Sequence, residues 1–201
     1  MPNLDNFDEA YDAVAQMEES GDVAGLIAAI DGRKNVPTEL AVEALGRLRA
    51  VESVDKLVEL VGKSIYFQNM PNSARKSLKV SSGEYQQSVM DALVNIGSPA
   101  VPKLLAEFEG NRYTRFHLAQ ILGRIADPQA VPALAKYAMD DANRGELEDF
   151  VVVEALANIG LPSCIEALLK VSTQAPAGSK LAQIIAEGLG KAGWKPEKDV
   201  G

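Results

Sequence analysis

Residues 119–135 read AQILGRIADPQAVPALA, and this stretch decides the fold. Apolar residues recur at helical spacing before the Asp-Pro pair, at Leu118, Ile121, Leu122 and Ile125. After the pair, Val131 and Leu134 lie on one face of a second helical segment. Asp127 is a plausible N-cap, and Pro128 suits a helix's first turn because its missing N–H costs nothing there. The stretch therefore predicts a helical hairpin.

The same pattern recurs along the chain. Copies begin at Val42, Met90, Ala119 and Val153, with a shortened copy from Ile185 and a weaker one from Ala13. Each is anchored by one apolar residue: Val14, Leu45, Leu93, Leu122, Leu156 and Leu189. The spacings are 31, 48, 29, 34 and 33 residues, so all but one are close to the length of a helical hairpin. With no alternating strand of useful length, these repeats predict an all-α fold in a single domain, residues 1–201.

The repeats resemble a known family. LGRIADPQAVPALAKY, VNIGSPAVPKLL and ALANIGLPSCIEALL match the pattern A-L-x-x-I-G-D-P-x-A-V-P-x-L-L of the HEAT-repeat superfamily, particularly its phycobilisome-lyase-like short repeats. GLGKAGWKPEKD is similar to a closing repeat, in which Trp194 would cover the end of the stack. The resemblance spans about residues 40–196 apart from one insertion, and more faintly 8–31. It implies a right-handed α-solenoid of about six helical hairpins whose second helices line a concave face.

The one long spacing coincides with a basic insertion at residues 62–83, GKSIYFQNMPNSARKSLKVSSG. The stretch holds four cations and no acid, so it carries a charge of +4. Because the formal net charge of the whole chain is −8, the rest of the chain carries −12. Two interpretations stay open: a partner-binding loop, or a polar loop whose first part, KSIYF, extends a helix. Nucleic-acid binding would need Tyr66 and Phe67 as stacking residues, but the acidic remainder argues against general nucleic-acid or anionic-membrane binding.

Residues for catalysis are few. His117 is the only histidine, which precludes a histidine-based metal cluster, and it shares a mostly apolar column of the repeat. Cys164 is the only cysteine and shares its column with Ala100 and Ala130, which predicts buried filler rather than a nucleophile. The deoxyhypusine hydroxylase type of HEAT protein implies His-Glu iron ligands, and this chain has no His-Glu dipeptide. No cofactor or metal is expected, and a non-enzymatic role is favoured.

Charged residues follow the helical faces. Each anchor lies between an acidic or amide residue and a basic or amide residue four positions later, as in Glu43 with Arg47 and Glu154 with Asn158. This pattern indicates a solvated outer face, and a binding stripe is the alternative. The aromatic residues Tyr113, Phe116 and Tyr137 fit either interface anchors or core. The residues predicted to contact a partner are Lys63, Tyr66, Arg75, Lys76, Lys79, Lys103, Tyr113, Lys136 and Lys170.

These patterns predict a protein-binding scaffold or adaptor whose partner is another protein or peptide. Family members are mostly scaffolds, but some are bilin lyase subunits, so a lyase subunit or phycobiliprotein chaperone is the alternative, with a carboxylate row or Tyr113 holding a tetrapyrrole. The N-terminus lacks a signal pattern and no apolar run reaches membrane-spanning length, which predicts a cytoplasmic protein. The partner's identity and the oligomeric state stay open.

Overall fold

A computed structural model describes residues 7–30, 36–68, 82–140 and 147–195 of the chain. Throughout these ranges the regular secondary structure is helical and no strand is present, which confirms the predicted all-α class. Contacts divide the chain into two compact units, Met1–Leu104 and Leu105–Gly201. The prediction of a single domain across both units stays a prediction.

The first unit is built from three consecutive helical pairs. Its helices are α1 (Phe7–Ser20), α2 (Val23–Ala29), α3 (Val36–Arg47), α4 (Val54–Gln68), α5 (Ser82–Ile96) and the beginning of α6 (Val101–Gly110). The first helices pack in series, α1 on α3 and α3 on α5, while α2 packs on α1 and α3, and α4 packs on α5. The anchors Leu45 and Leu93 are fully buried, as the repeat predicts for the residue that faces the shared core.

The second unit continues the pattern. It contains the rest of α6 and the helices α7 (Arg115–Ile125), α8 (Val131–Ala138), α9 (Leu147–Ile159), α10 (Pro162–Ser172) and α11 (Lys180–Lys191). The first helices α7, α9 and α11 pack in series, and the second helices α8 and α10 pack on each other and on α9. Leu122 and Leu156 are fully buried and Leu189 is buried, so the anchors again lie in the core.

The connections within the hairpins follow the predicted turn chemistry. Gly97, Gly160 and Gly193 have φ values of 78°, 66° and 77°, which a residue with a side chain rarely adopts. Pro162 opens α10, and Pro128 opens a 3₁₀ turn, Pro128–Ala130, that leads into α8. The Asp127 carboxylate accepts a hydrogen bond from the Gln129 backbone N–H at 2.8 Å, which confirms the predicted cap. Pro99 lies in a matching 3₁₀ turn, Ser98–Ala100, and Pro196 is outside the described residues.

Small residues let the first helices approach closely. A Cβ added at Gly46 would lie 2.7 Å from the Cα of Ala92 on the next first helix. The equivalent distance from Gly123 to the Cα of Ala155 is 2.6 Å. Both glycines directly follow an anchor leucine, and both alanines directly precede the next one. The glycine after the anchor therefore sets the distance between neighbouring hairpins.

The basic stretch 62–83 is partly helical. Helix α4 continues to Gln68, so Lys63, Tyr66 and Phe67 belong to it, in agreement with the expectation that KSIYF extends a helix. Helix α5 begins at Ser82. Residues 69–81, which include Arg75, Lys76 and Lys79, lie outside the described residues. Within the part of the chain that the structure describes, no helix combines the length and the apolar character needed to cross a membrane.

The charged outer face links neighbouring helices as well as residues within one helix. The predicted pair is present, with Nη1 of Arg47 3.6 Å from Oε2 of Glu43. Nε of Arg47 is much closer, at 2.6 Å, to Oε1 of Glu18 on α1. In the second unit, Nζ of Lys191 on α11 lies 3.9 Å from Oε1 of Glu154 on α9. The face is solvated, and its charges connect one hairpin to the next.

Candidate functional site

The second unit contains a pocket of about 210 Å³ between the last turns of α6, the start of α7, and α8. We call it the Arg115 pocket. It is lined by Phe108, Glu109, Arg115, Ala133, Lys136, Tyr137 and Asp140. Two cations, two aromatic rings and two carboxylates therefore converge on one small concavity.

The Arg115 side chain is held in place from two directions. Its Nε donates a hydrogen bond to the Phe108 backbone oxygen at 3.0 Å. Its guanidinium carbon lies 4.9 Å from the centre of the Tyr137 ring and 5.7 Å from that of Phe108. The two rings meet edge to face, with centres 5.6 Å apart. A cation over an aromatic face is stabilised by about 0.5–2 kcal/mol, so the guanidinium is oriented before any ligand arrives.

The terminal nitrogens of Arg115 are left without an acidic partner in the described residues. No described carboxylate lies within ion-pair distance of Arg115, and the same holds for Lys136. A guanidinium whose Nε is already used presents its two remaining NH₂ groups to a planar acceptor. The chemistry that this arrangement favours is recognition of an anionic group.

A short turn before Arg115 presents an aromatic side chain to solvent. The Asn111 side-chain oxygen accepts a hydrogen bond from the Tyr113 backbone N–H at 3.1 Å, and the Thr114 hydroxyl donates to the Asn111 backbone oxygen at 3.0 Å. The Asn111 amide also donates to Oε1 of Glu107 at 2.9 Å. Tyr113 is 74% exposed, with the Arg112 guanidinium 5.9 Å from its ring centre. The turn is fixed by its own hydrogen bonds while its aromatic residue is uncovered.

The structure places the predicted partner-binding residues as follows. Lys136 lines the Arg115 pocket, together with Tyr137, and Lys170 is exposed on α10. Lys103 is exposed on α6 in the first unit, where its Nζ lies 2.8 Å from Oδ1 of Asp55. Lys63 and Tyr66 lie on α4 with side chains that are not described, and Arg75, Lys76 and Lys79 are outside the described residues.

Arg115 and Phe108 were missed by the sequence analysis. Phe108 is buried, and its ring reads in the sequence as ordinary core. Arg115 did leave a signal, because it is the first residue of α7, where the helix dipole favours acidic side chains and disfavours cations. An arginine at such a position has a reason other than helix stability.

His117 is half-buried and Cys164 is buried, which agrees with the mostly apolar or small residues in their repeat columns. His117 is half-buried on α7, where burial lowers its pKa and a hydrogen bond with the Gln120 side chain opposes the effect. Cys164 is buried in the first turn of α10, and burial raises the pKa of its thiol. A raised pKa keeps the thiol protonated near neutral pH, which removes its nucleophilic form.

Within the described ranges, no group of three or more His, Cys, Asp or Glu side chains is arranged so that it could hold a metal ion. A second pocket of about 170 Å³ lies between α9 and α11, on the charged face that carries Lys191 and Glu154. It contains no histidine or cysteine.

Comparisons with known proteins identify the repeat type. The family model for the PBS lyase HEAT-like repeat matches residues 114–138, which comprise α7, the 3₁₀ turn and α8. No curated protein matches the chain. Among solved structures, human deoxyhypusine hydroxylase in complex with glycerol is similar at 20% identity and a TM-score of 0.45, with 92% of this chain and 78% of that chain covered. The predicted resemblance is thus confirmed: the chain carries a PBS lyase HEAT-like repeat at residues 114–138.

Proposed function

We propose that this protein is a non-enzymatic adaptor that binds another protein or a peptide. The proposed contact surface is formed by the second helices of its hairpins and the turns next to them. The observation that supports this most directly is the Arg115 pocket, together with the exposed Tyr113 two residues before Arg115 in the chain. HEAT repeats usually mediate protein interactions, and stacked hairpins present an extended surface for them.

The residue types at the pocket are those that dominate protein interfaces. Arginine and tyrosine are enriched at interface hot spots, where they fill pockets near the centre of the contact. Tyr137 and Arg115 are already ordered by their contacts, so little side-chain entropy is lost when a partner covers them. Tyr113 adds a large aromatic surface on a turn that is fixed by hydrogen bonds.

The predicted lysines outside the pocket are part of the proposal, each within its own unit. Lys170 is exposed on α10, the next second helix of the same unit. In the first unit, the exposed pair of Lys103 with Asp55 contributes little to stability, since surface ion pairs yield about 0–1 kcal/mol. The basic stretch 62–83 is part of the same proposal.

Among the described residues, the two pockets give the bilin lyase alternative no comparable support. The pockets of about 210 and 170 Å³ are smaller than the roughly 300–1,000 Å³ typical of small-molecule sites, and a tetrapyrrole is a large ligand. Incubation with phycocyanobilin and an apo-phycobiliprotein tests it directly. A new absorbance band or a covalent adduct would support the lyase role against the adaptor role.

Site-specific cross-linking tests the adaptor proposal. We would place the photoreactive residue p-benzoylphenylalanine at Tyr113, on the turn that precedes Arg115, and at Asn158 on the first helix α9 as the matched exposed control. After irradiation in a lysate of the native cells, adducts should form from position 113 and be identified by mass spectrometry. Adducts that are equally abundant from both positions, or absent from both, would contradict the proposal.

A further inference from the structure

We infer that the Arg115 pocket receives the carboxylate of an acidic side chain in the partner's polypeptide. The inference rests on the proposed adaptor function and specifies its chemistry. The guanidinium of Arg115 forms two parallel hydrogen bonds with the incoming carboxylate, and Lys136 adds a second positive charge. The rings of Phe108 and Tyr137 contact the guanidinium and hold it in place.

The guanidinium of Arg115 supports an anionic occupant in a pocket that two cations and two carboxylates line. In the described residues, neither Arg115 nor Lys136 has a carboxylate within ion-pair distance, although both line the same pocket. The hydrogen bond from Nε of Arg115 to the Phe108 backbone oxygen fixes the plane of the guanidinium. A fixed planar fork matches a planar carboxylate in two contacts, which a flexible lysine cannot reproduce.

The remaining lining residues favour a carboxylate over a phosphate. Glu109 and Asp140 bring two negative charges to the same pocket. They would repel a phosphate, which carries close to two negative charges near neutral pH, more strongly than a singly charged carboxylate. Glu109 also attracts cations, so the segment that binds should carry Lys or Arg beside its acidic residue. A chain with a formal charge of −8 attracts such a segment at long range.

The size of the pocket limits what can enter. Its volume of about 210 Å³ is below the roughly 300–1,000 Å³ that is typical of small-molecule sites. That space is enough for one side chain. We therefore expect an extended segment that inserts a single Glu or Asp.

The test uses the full chain and three synthetic peptides: acetyl-Lys-Gly-Glu-Gly-Lys-amide, its Gln counterpart and its phosphoserine counterpart. Binding is followed by NMR through the side-chain Nε–H signals of arginine. Arg112 provides the internal control, because it also lies near an aromatic ring but is not a lining residue of the pocket. We expect the Glu peptide to shift the Arg115 signal in a saturable manner, at a concentration at least tenfold lower than the Gln peptide needs. The Arg115→Lys variant should lose this binding, and Arg112→Lys should keep it.

Two results would overturn the inference. One is an Arg115 signal that the Glu peptide shifts no more than it shifts that of Arg112. The other is tighter binding of the phosphoserine peptide, which would assign the pocket to phosphate. If the Arg115→Lys variant does not fold, the comparison of the Glu and Gln peptides on the unaltered protein still tests the inference. Partner capture by cross-linking at Tyr113 is a separate measurement, so either proposal can fail while the other holds.

Discussion

Arg115 occupies a helix position that is locally unfavourable for a cation, and contacts with other parts of the fold hold its side chain there. A cation at the first position of α7 opposes the helix dipole, which disfavours it by a few tenths of a kcal/mol up to about 1 kcal/mol. The loss is offset by contacts from outside the helix, namely the Phe108 carbonyl and the Tyr137 ring. Only the fold brings these groups together, since Tyr137 lies on a different helix from Arg115.

At the same scale, the ion pair of Glu18 and Arg47 connects the first two hairpins. The Arg47 hydrogen bonds hold the pKa of the Glu18 carboxyl below its usual value of 4.5, against a smaller opposing effect of burial. Because the side chains are 26% and 52% exposed, we expect a coupling energy of only about 0.2–1 kcal/mol. A double-mutant cycle with Glu18→Gln and Arg47→Gln, followed by urea unfolding, measures it. The coupling energy should decrease at high salt, and it should vanish in acid as Glu18 becomes protonated. A coupling energy above about 1 kcal/mol that does not change with salt would contradict this account.

His117 gives the protein a second, separate pH dependence. Burial lowers its pKa below 6.5, and its Nδ1 is buried with no hydrogen-bond partner among the described residues. As the pH falls below about 6.5, the unfolded chain takes up a proton before the folded one does, so stability decreases towards the folded pKa. The contribution is complete above that window.

The test compares urea midpoints at about pH 7.5 and about pH 5.5, a range in which ordinary carboxylates stay ionised. The native chain should lose stability between the two, and His117→Gln should remove that loss. If the variant shows the same change with pH as the native chain, His117 is not its source.

At the scale of the helices, the close packing of α3 on α5 and of α7 on α9 depends on a glycine that follows the anchor. Gly46 and Gly123 follow their anchors and lie against Ala92 and Ala155 of the next first helix. The final repeat has Gly190 at the same position, where an added Cβ would meet no described atom within 4 Å. The second unit therefore contains the same repeat position twice, once packed against a neighbouring helix at Gly123 and once uncovered at Gly190.

This pair makes a matched experiment. Gly123→Ala would bring a Cβ to 2.6 Å from the Cα of Ala155, so α7 and α9 must move apart, and we expect a loss of about 1–3 kcal/mol in the free energy of unfolding. Gly190→Ala should instead be neutral or stabilising by up to about 1 kcal/mol, because alanine favours helix over glycine. Chemical denaturation measures both. Two variants with equal effects would mean that helix propensity, rather than the helix contact, determines the outcome.

The repeat could be predicted from sequence because its determinants are local. The anchors and the Asp127 cap each depend on residues within one hairpin, and they were found where expected. The Arg115 pocket depends on residues from three helices, and its geometry arises only when Phe108, Arg115 and Tyr137 pack together. Of the pocket, the sequence identified Lys136 and Tyr137 as candidates, the latter with core as an equal alternative.

For the whole molecule, the charge distribution sets how a partner approaches. The net charge is −8, yet the proposed contact residues are mostly cations. A partner segment with charges of both signs satisfies both facts, because its cations are attracted by the chain as a whole and its acid by Arg115 and Lys136. Binding should therefore weaken with salt, but not be abolished by it.

The basic stretch can be tested within this frame once a partner has been cross-linked at position 113. Changing Arg75, Lys76 and Lys79 together to Gln lowers the net charge to −11 and should leave the helical circular dichroism unchanged. If these residues bind acids of the partner, affinity should fall at least about threefold, since each exposed ion pair contributes about 0.2–1 kcal/mol. The control changes the exposed Arg49, Lys180 and Lys195 to Gln, which gives the same net charge. Equal affinities for the two variants would show that only total charge matters, and that the stretch is a solvated loop rather than part of the binding surface.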